Sequence, residues 1–461
     1  MSEILTSPRQ ADRYAADLKE ELTGRRDACF VWLCNFEVEQ QWARGHVGLP
    51  TVKLSTTTST VHRMEQLGAL LADPGDHLLL GQALDPGYRD YVESIGFAPP
   101  MELLAPDVTG AGTTAAVLAS HEVRSALRRL GEQGAYLMPM GCSADEQKIA
   151  EATGIRPAVP DAAVFERVNS KIYSRHLVEE LGLRAIPGHC CESVADLRAA
   201  LGPSAMLPVI VKEAYGVSGK GLVVLDSEKK VARLLRMVEQ RSRRTGDVRL
   251  DVVVESFLAK RSDLNYQFTV GRTGRVRLNF VKEALTAHGV HMGHIMPADL
   301  TAAQYAEIES VAMRIGERLH ADGFVGVVGV DALLGVDDLI YPVLEINARL
   351  NMSSYQGRVT ERFLRPGHCA LAKYHPLRLA ARLPWSRISV ALGDLLEPPV
   401  DGTGMVVTCF GTVNAQAQTA QTAAPFNGRL YSVLFAPDRA ALAALDSRIT
   451  DALSVVEAGG E

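Results

Sequence analysis

Cysteine is scarce in this chain: there are 7 among 461 residues, with no C-x-x-C pair and no zinc-type spacing. That argues against a disulfide scaffold and gives no support to a structural zinc site. The adjacent Cys190 and Cys191 read as two reduced thiols near a turn, as in a reducing, cytoplasmic setting. Cationic excess is missing too. With 48 Lys and Arg against 54 Asp and Glu the net charge is −6, so no broad basic surface is on offer for nucleic acid. The run Arg241-Ser242-Arg243-Arg244 reads as the solvated end of a helix. No apolar stretch reaches the length of a membrane span, so no membrane role is expected. The charged, helix-patterned residues 1–22 are unlike a signal peptide. No repeat period is present, and no lysine sits in a Met-Lys-Met setting for biotin.

Apolar residues are plentiful, at 47%, and 461 residues exceed what one core usually organises. Residues 1–160 alternate short apolar strands (28–33, 77–80, 135–138) with helical stretches such as 116–130. This is the pattern of a small doubly wound, Rossmann-like α/β layer. Residues 161–382 open with a helix capped at Asn169 or Ser170, running to Leu181 with Gly182 at its end. A small lobe at about 185–258 carries helices at 193–200 and 228–240. A larger lobe at about 259–382 carries strands at 266–270 and 276–280 and a long helix at 302–319. Residues 383–461 read as a small C-terminal α+β module with strands at 389–392, 404–410 and 428–435, an Ala/Gln/Thr-rich linker at 415–425, and a helix at 437–456.

The most informative run is Leu344-Glu345-Ile346-Asn347-Ala348-Arg349. On a strand, Glu345 and Asn347 point to one face while Ile346 points into apolar packing. A carboxylate beside an amide oxygen makes a hard oxygen site, the kind Mg²⁺ favours when it also holds nucleotide phosphates. Asp331, in the apolar run 330–334, adds an oxygen if the two strands pair as a hairpin around Gly335-Val336-Asp337-Asp338. By itself this spacing fits a polar strand edge at least as well. Upstream, the apolar run 207–212 ends in Lys212 and enters a loop containing Gly216, Gly219 and Gly221 with Ser218 and Lys220. The N–H groups of such a loop can close on an anion. It has neither the Walker A order nor a dinucleotide fingerprint, and alone it fits a surface hairpin equally. The β-branched run 251–258 is either an ordinary central strand or a hinge whose main chain reads an adenine edge, with Glu255 or Asp263 holding an amino group or ribose hydroxyl. Lys171, in a first helical turn, gains nothing from the helix dipole, which favours acids there. Such a local conflict suits a site residue, or simply an exposed lysine.

Taken in order, a lysine at a helix start, a strand-lysine with a Gly-rich loop, a strand-acid hinge and D…E-x-N-x-R resemble the ATP-grasp superfamily over residues 164–355. The resemblance implies two α+β lobes clasping ATP, preceded by a pre-ATP-grasp domain. It assigns ATP contacts to Lys171 and Lys212, and phosphate cover to Tyr215, Gly216, Ser218, Gly219, Lys220 and Gly221. The adenine hinge would be Glu255, Ser256, Phe257 and Leu258, with Asp263 nearby. Asp331, Glu345 and Asn347 would bind Mg²⁺, or Mn²⁺ in its place. Arg349 would grip phosphate or an acyl phosphate and, with Lys212, act in catalysis. Many relatives have proline between the Asn and the Arg; Ala348 here alters backbone stiffness more than chemistry.

The resemblance further implies an ADP-forming ligase. A carboxylate attacks the γ-phosphate, and an amine then attacks the acyl phosphate. The group it resembles most joins amino acids or short peptides in bacterial biosynthetic pathways. A carboxylate–thiol ligase, a kinase and a non-catalytic ATP-binding regulatory protein are the alternatives. Expected partners are small carboxylates and amines, and a homodimer is compatible with the sequence. No cysteine shows a His–acid arrangement for a covalent route. His288, His291 and His294 lie in a Gly-broken segment poorly spaced for zinc; His291 and His294 suit substrate contact or a structural role. Ser353, Tyr355 and Arg358, just past the metal strand, suit recognition of an amino-acid carboxylate, or a hydrogen-bonded turn. The Thr-rich stretch 55–60 reads as a solvated loop or a substrate loop.

Overall fold

The computed structural model describes residues 13–49, 58–107, 110–203, 205–216, 221–287, 290–417 and 425–458, without the side chains of 286–287, 290–291 and 457–458. Three sheets organise the chain. The first is parallel, in the order β3-β2-β1-β4-β5, from β1 (Phe30–Leu33), β2 (His77–Leu80), β3 (Met101–Leu104), β4 (Tyr136–Pro139) and β5 (Arg156–Pro157). Every residue of β1 and β2 is buried, as befits strands covered on both faces. The helix expected at 116–130 is two helices, Thr113–Ala119 and His121–Glu132. Ser120 leaves helical geometry, and its hydroxyl accepts the Val123 N–H to cap the second helix.

The second sheet is antiparallel, in the order β6-β9-β7-β8: β6 (Gly188–Ser193), β7 (Val209–Glu213), β8 (Leu222–Leu225) and β9 (Arg249–Ser256). Helices Val194–Ala200 and Glu228–Thr245 pack on Val211, Val252 and Val254. The second helix takes the run 241–244 as its last turn.

The third sheet has eight strands, in the order β14-β13-β10-β11-β12-β15-β17-β16. These are β10 (Lys260–Val270), β11 (Val276–Ala287), β12 (Val290–Met296), β13 (Gly326–Gly335), β14 (Ile340–Asn347), β15 (Cys369–Leu379), β16 (Gly404–Cys409) and β17 (Phe426–Ala436). Helix Ala302–Ala321, opened by a Thr301/Gln304 capping box, buries Ile308, Ala312, Ile315 and Leu319 against it. The strands beyond residue 383 continue this sheet instead of forming one of their own. Residues 389–392, expected as a strand, belong to helix Trp385–Leu392. Trp385, Ile388 and Leu392 are buried while Val390 is 82% exposed, which is a helical period. Trp385 and Phe410 pack against Tyr88 and Tyr91 of the first layer, so the two ends of the chain share one core. Among the described residues no helix is long and apolar enough to cross a membrane.

Candidate active site

The β13/β14 hairpin forms around the expected turn and sets Asp331 directly opposite Glu345. The two carboxylates therefore share a face, and Asn347 joins them two residues on. Asp331 accepts from Asn265 Nδ2 at 2.9 Å and from Asn347 Nδ2 at 3.1 Å. Burial, and then repulsion from Glu345, push the Asp331 carboxyl up to about 6. On the opposite face Ile346 is fully buried, and its N–H is held by Ser174 Oγ at 3.1 Å. Two crowded acids with an amide beside them offer oxygen donors only. A divalent cation would relieve their repulsion, so these residues fit a hard metal ion.

Ser170 caps helix Lys171–Glu180, its hydroxyl accepting the Ile172 N–H. Lys171 is thereby set with its backbone N–H on Ala214 O at 3.0 Å and its ammonium on Glu345 Oε1 at 2.6 Å and Gly216 O at 3.0 Å. One side chain thus ties β14 to the Gly-rich loop. Lys212, near the end of β7, pairs with Glu255 Oε2 of neighbouring β9 at 2.6 Å; Arg175 stands 3.7 Å from the other Glu255 oxygen. Lys171, Arg175, Lys212 and Glu255 line a crevice between the two lobes, with Val343 and Leu344 at its base.

Arg349 lies beyond the end of β14, not on a continuing strand. It nevertheless stays beside the face that carries Glu345 and Asn347. Its Nη2 donates to Asn347 Oδ1 at 2.9 Å and meets Glu39 of the first layer. Its buried Nε–H has no acceptor among the described residues, nor does Asn351 Nδ2. Glu39, Trp42, Asn169, Lys171, Tyr215, Gly216, Glu345, Asn347 and Arg349 close around one small pocket. All three layers of the protein therefore meet at this point.

Two family profiles fall on the chain in succession: the Pre ATP-grasp domain over residues 64–155, and the ATP-binding domain of the carbamoyl-phosphate synthase L chain over residues 170–361. The second interval contains Lys171, Lys212, Asp331, Glu345, Asn347 and Arg349. The chain has the ATP-grasp fold with a pre-ATP-grasp domain ahead of it. A curated relative, the butirosin acyl-carrier protein–L-glutamate ligase of Niallia circulans, is 29% identical over 199 residues, which is 42% of this chain and 46% of the relative. The carbamoyl phosphate synthase large chain of Xylella fastidiosa is 24% identical over 44% of this chain and 18% of its own length. The chain thus spans less than half of each of these relatives. Among solved structures, a pyruvate carboxylase of Rhizobium etli superposes with a TM-score of 0.56 at 14% identity, over 91% of this chain and 37% of that one. An N5-carboxyaminoimidazole ribonucleotide synthetase of Thermus thermophilus does so with a TM-score of 0.51 at 16% identity, over 86% and 97%. At such identities the likeness is one of fold.

Other expected contacts of the ATP-grasp core are scattered. Val217, Ser218, Gly219 and Lys220 lie outside the described residues, as do His288 and the side chain of His291. Tyr215 and Gly221 flank the loop: Tyr215 Oη donates to Glu166 O at 2.9 Å, and Gly221 has φ +75°. In the hinge, the Ser256 N–H goes to Pro187 O at 2.9 Å and the Phe257 N–H to Pro208 O at 3.0 Å, with Leu258 following. Asp263 is paired with Lys260 at 2.5 Å. His294 is buried on β12. Ser353 is buried one contact from Asp331, its hydroxyl 3.4 Å from Asn265 Oδ1. Tyr355 and Arg358 are both buried. Tyr355 is 1% exposed, its ring packed on Phe36 at 5.2 Å. Arg358 is buried, donating to Leu71 O and Ala72 O with Asp73 at 3.5 Å. Both join the first layer to the core. Sequence reasoning missed Glu39, Arg175 and Asn265. Glu39 is remote in sequence and carries no local signal, whereas Arg175 stands one helical turn after Lys171 on the same helix. Asn265 did carry one: with Gln267 it places amides at alternate positions of an otherwise apolar strand.

Proposed function

We propose that this protein is an ADP-forming ligase that joins a carboxylate to an amine, the substrates being amino acids or short peptides of a biosynthetic pathway. The observation that carries the reading is the single cluster of Lys171, Asp331, Glu345, Asn347 and Arg349 at the junction of the three layers. ATP would lie in the interlobe crevice with its terminal phosphates toward Glu345. Asp331, Glu345 and Asn347 would hold Mg²⁺, with Mn²⁺ as a substitute. When bound, that ion supplies charge neutralisation at the phosphate oxygens. Lys171 and Lys212 exchange their carboxylate partners for phosphate oxygens. The acid substrate's carboxylate attacks the γ-phosphate, and ADP leaves. The amine then attacks the carbonyl of the acyl phosphate, and phosphate leaves. Arg349, which lines the pocket and keeps a buried Nε–H without an acceptor among the described residues, steadies oxygens of that intermediate. Catalysis here is positioning plus electrostatics.

The 29%-identical relative carries an acyl-carrier protein in its name as the partner of L-glutamate. A carboxylate–thiol ligation onto a carrier protein is therefore the second reading. Purified protein with Mg·ATP, a panel of amino acids as acids and amines, and a carrier protein in a separate arm would decide, with products followed by mass. ADP and phosphate with an amide product support the proposal. A product on the carrier supports the second reading, and AMP with pyrophosphate removes both.

A further inference from the structure

Lys282 has no part in the site described so far. It lies on β11 opposite Asn265 of β10; Asn265 is opposite Asp331 of β13, and Asp331 is opposite Glu345 of β14. Directly opposed residues of an antiparallel sheet share a face, so these four side chains form one row across the sheet. Lys282 therefore stands on the active-site face, two strands from Asp331, about 10 Å at the usual strand spacing. It is 1% exposed. Among the described residues its ammonium has one hydrogen-bond partner, Gln356 Oε1 at 2.9 Å, and lies 4.3 Å from the centre of the Phe280 ring. Among the described residues no carboxylate pairs with it, and burial pushes the amine down to about 7. The nearest polar groups on this face are the neutral Asn265, Gln267, Ser353 and Ser354. The titratable ones are Asp331 and Glu345 farther along the row, Asp263 and His294 one pair along the strands, the Tyr14 hydroxyl on Gln267, and Arg13, Asp17, Glu21, Arg277 and Glu361 around the adjoining cavity. A fully buried cation with only an amide for company costs folding free energy, and an incoming anion offsets that cost. Space lies close by. Phe280 and Gly357, next to Gln356, line a cavity of about 340 Å³.

We propose that Lys282 and Gln356 form the subsite for a carboxylate of the acid substrate. The proposal rests on the ligase reading and adds to it a recognition residue on the third strand of the metal face. That carboxylate is either the one being activated or a second one on the same molecule, and the two sources can be told apart.

The test is calorimetry on the full chain loaded with ADP, at pH 8, titrated with L-glutamate, L-glutamine or L-alanine in two buffers of different ionisation enthalpy. The wild type should take up about one proton per bound carboxylate, because the buried amine becomes charged only when an anion arrives. Lys282→Met should bind at least ten-fold more weakly without proton uptake, its ADP affinity unchanged. L-Glutamate binding well above L-glutamine identifies a second carboxylate; equal binding identifies the reacting one. Equal affinity and proton uptake in both proteins would overturn the proposal, as would no saturable binding of any probe by the ADP-loaded wild type. Loss of ADP binding by the wild type would instead remove the ligase reading beneath it. Folding is checked separately. The amine must shed a proton to fold at any pH between about 7 and the ordinary lysine value of 10.5, so wild-type stability falls as pH drops through that window. Lys282→Met should therefore melt above the wild type at pH 7 and converge with it above pH 10.5.

Discussion

Glu345 carries two duties at the scale of one residue. It opposes Asp331 across the hairpin and accepts Lys171 at 2.6 Å. Glu345→Gln keeps the shape and removes the charge. The expected outcome is a kcat lower by at least about a hundred-fold, roughly 3 kcal/mol of transition-state stabilisation, with the circular dichroism spectrum unchanged. Near-normal turnover at saturating ATP and ordinary Mg²⁺ would end the metal assignment. Arg349 is the second test. Its Nη2 meets Asn347 and Glu39 while its Nη1 reaches Leu350 O at 3.4 Å, a planar spread of donors that a lysine's point charge cannot reproduce. Arg349→Lys should leave ATP affinity near normal while kcat falls or the KM for the acid substrate rises. Wild-type steady-state kinetics with each substrate varied in turn would remove Arg349 from the chemistry.

Helix Lys171–Glu180 shows how an element serves a site. Ser170 caps it, and the cap fixes the turn from which Lys171 reaches both lobes. Ser170→Ala should cost about 1 kcal/mol of stability in denaturant unfolding. The same change should raise the KM for ATP, since Lys171 loses its anchored start; an unaltered KM would separate the cap from the site. This element was legible from sequence because the cap residue, the first-turn lysine and the terminal Gly182 all lie within one short window. So was the β13/β14 hairpin, whose alternation and turn are local. Residues 389–392 were misread for the same reason in reverse. Four apolar or small residues look alike in strand and helix, and only the wider Trp385–Ile388–Leu392 period, with Val390 outside, distinguishes them.

At the scale of the whole molecule the three layers are tied together by buried polar groups that sequence spacing does not reveal. Arg358 follows β14, a position that suits either substrate recognition or a hydrogen-bonded turn. It donates to the Leu71 and Ala72 carbonyls and lies beside Asp73 of the first layer. Arg358→Met should lower stability by on the order of 3 kcal/mol, read in chemical denaturation, with substrate KM values unchanged. A shifted KM with intact stability would return it to the site. The same long-range logic hid Glu39, which reaches Arg349 from the first layer. What holds these readings together is the claim that ATP activates a carboxylate as its acyl phosphate. The most direct measurement uses an acid substrate labelled with ¹⁸O in its carboxylate, with the released phosphate analysed by mass. The account predicts one labelled oxygen in inorganic phosphate per amide formed, with ADP as the nucleotide product. Label recovered in AMP, or amide formation with unlabelled phosphate, would contradict it.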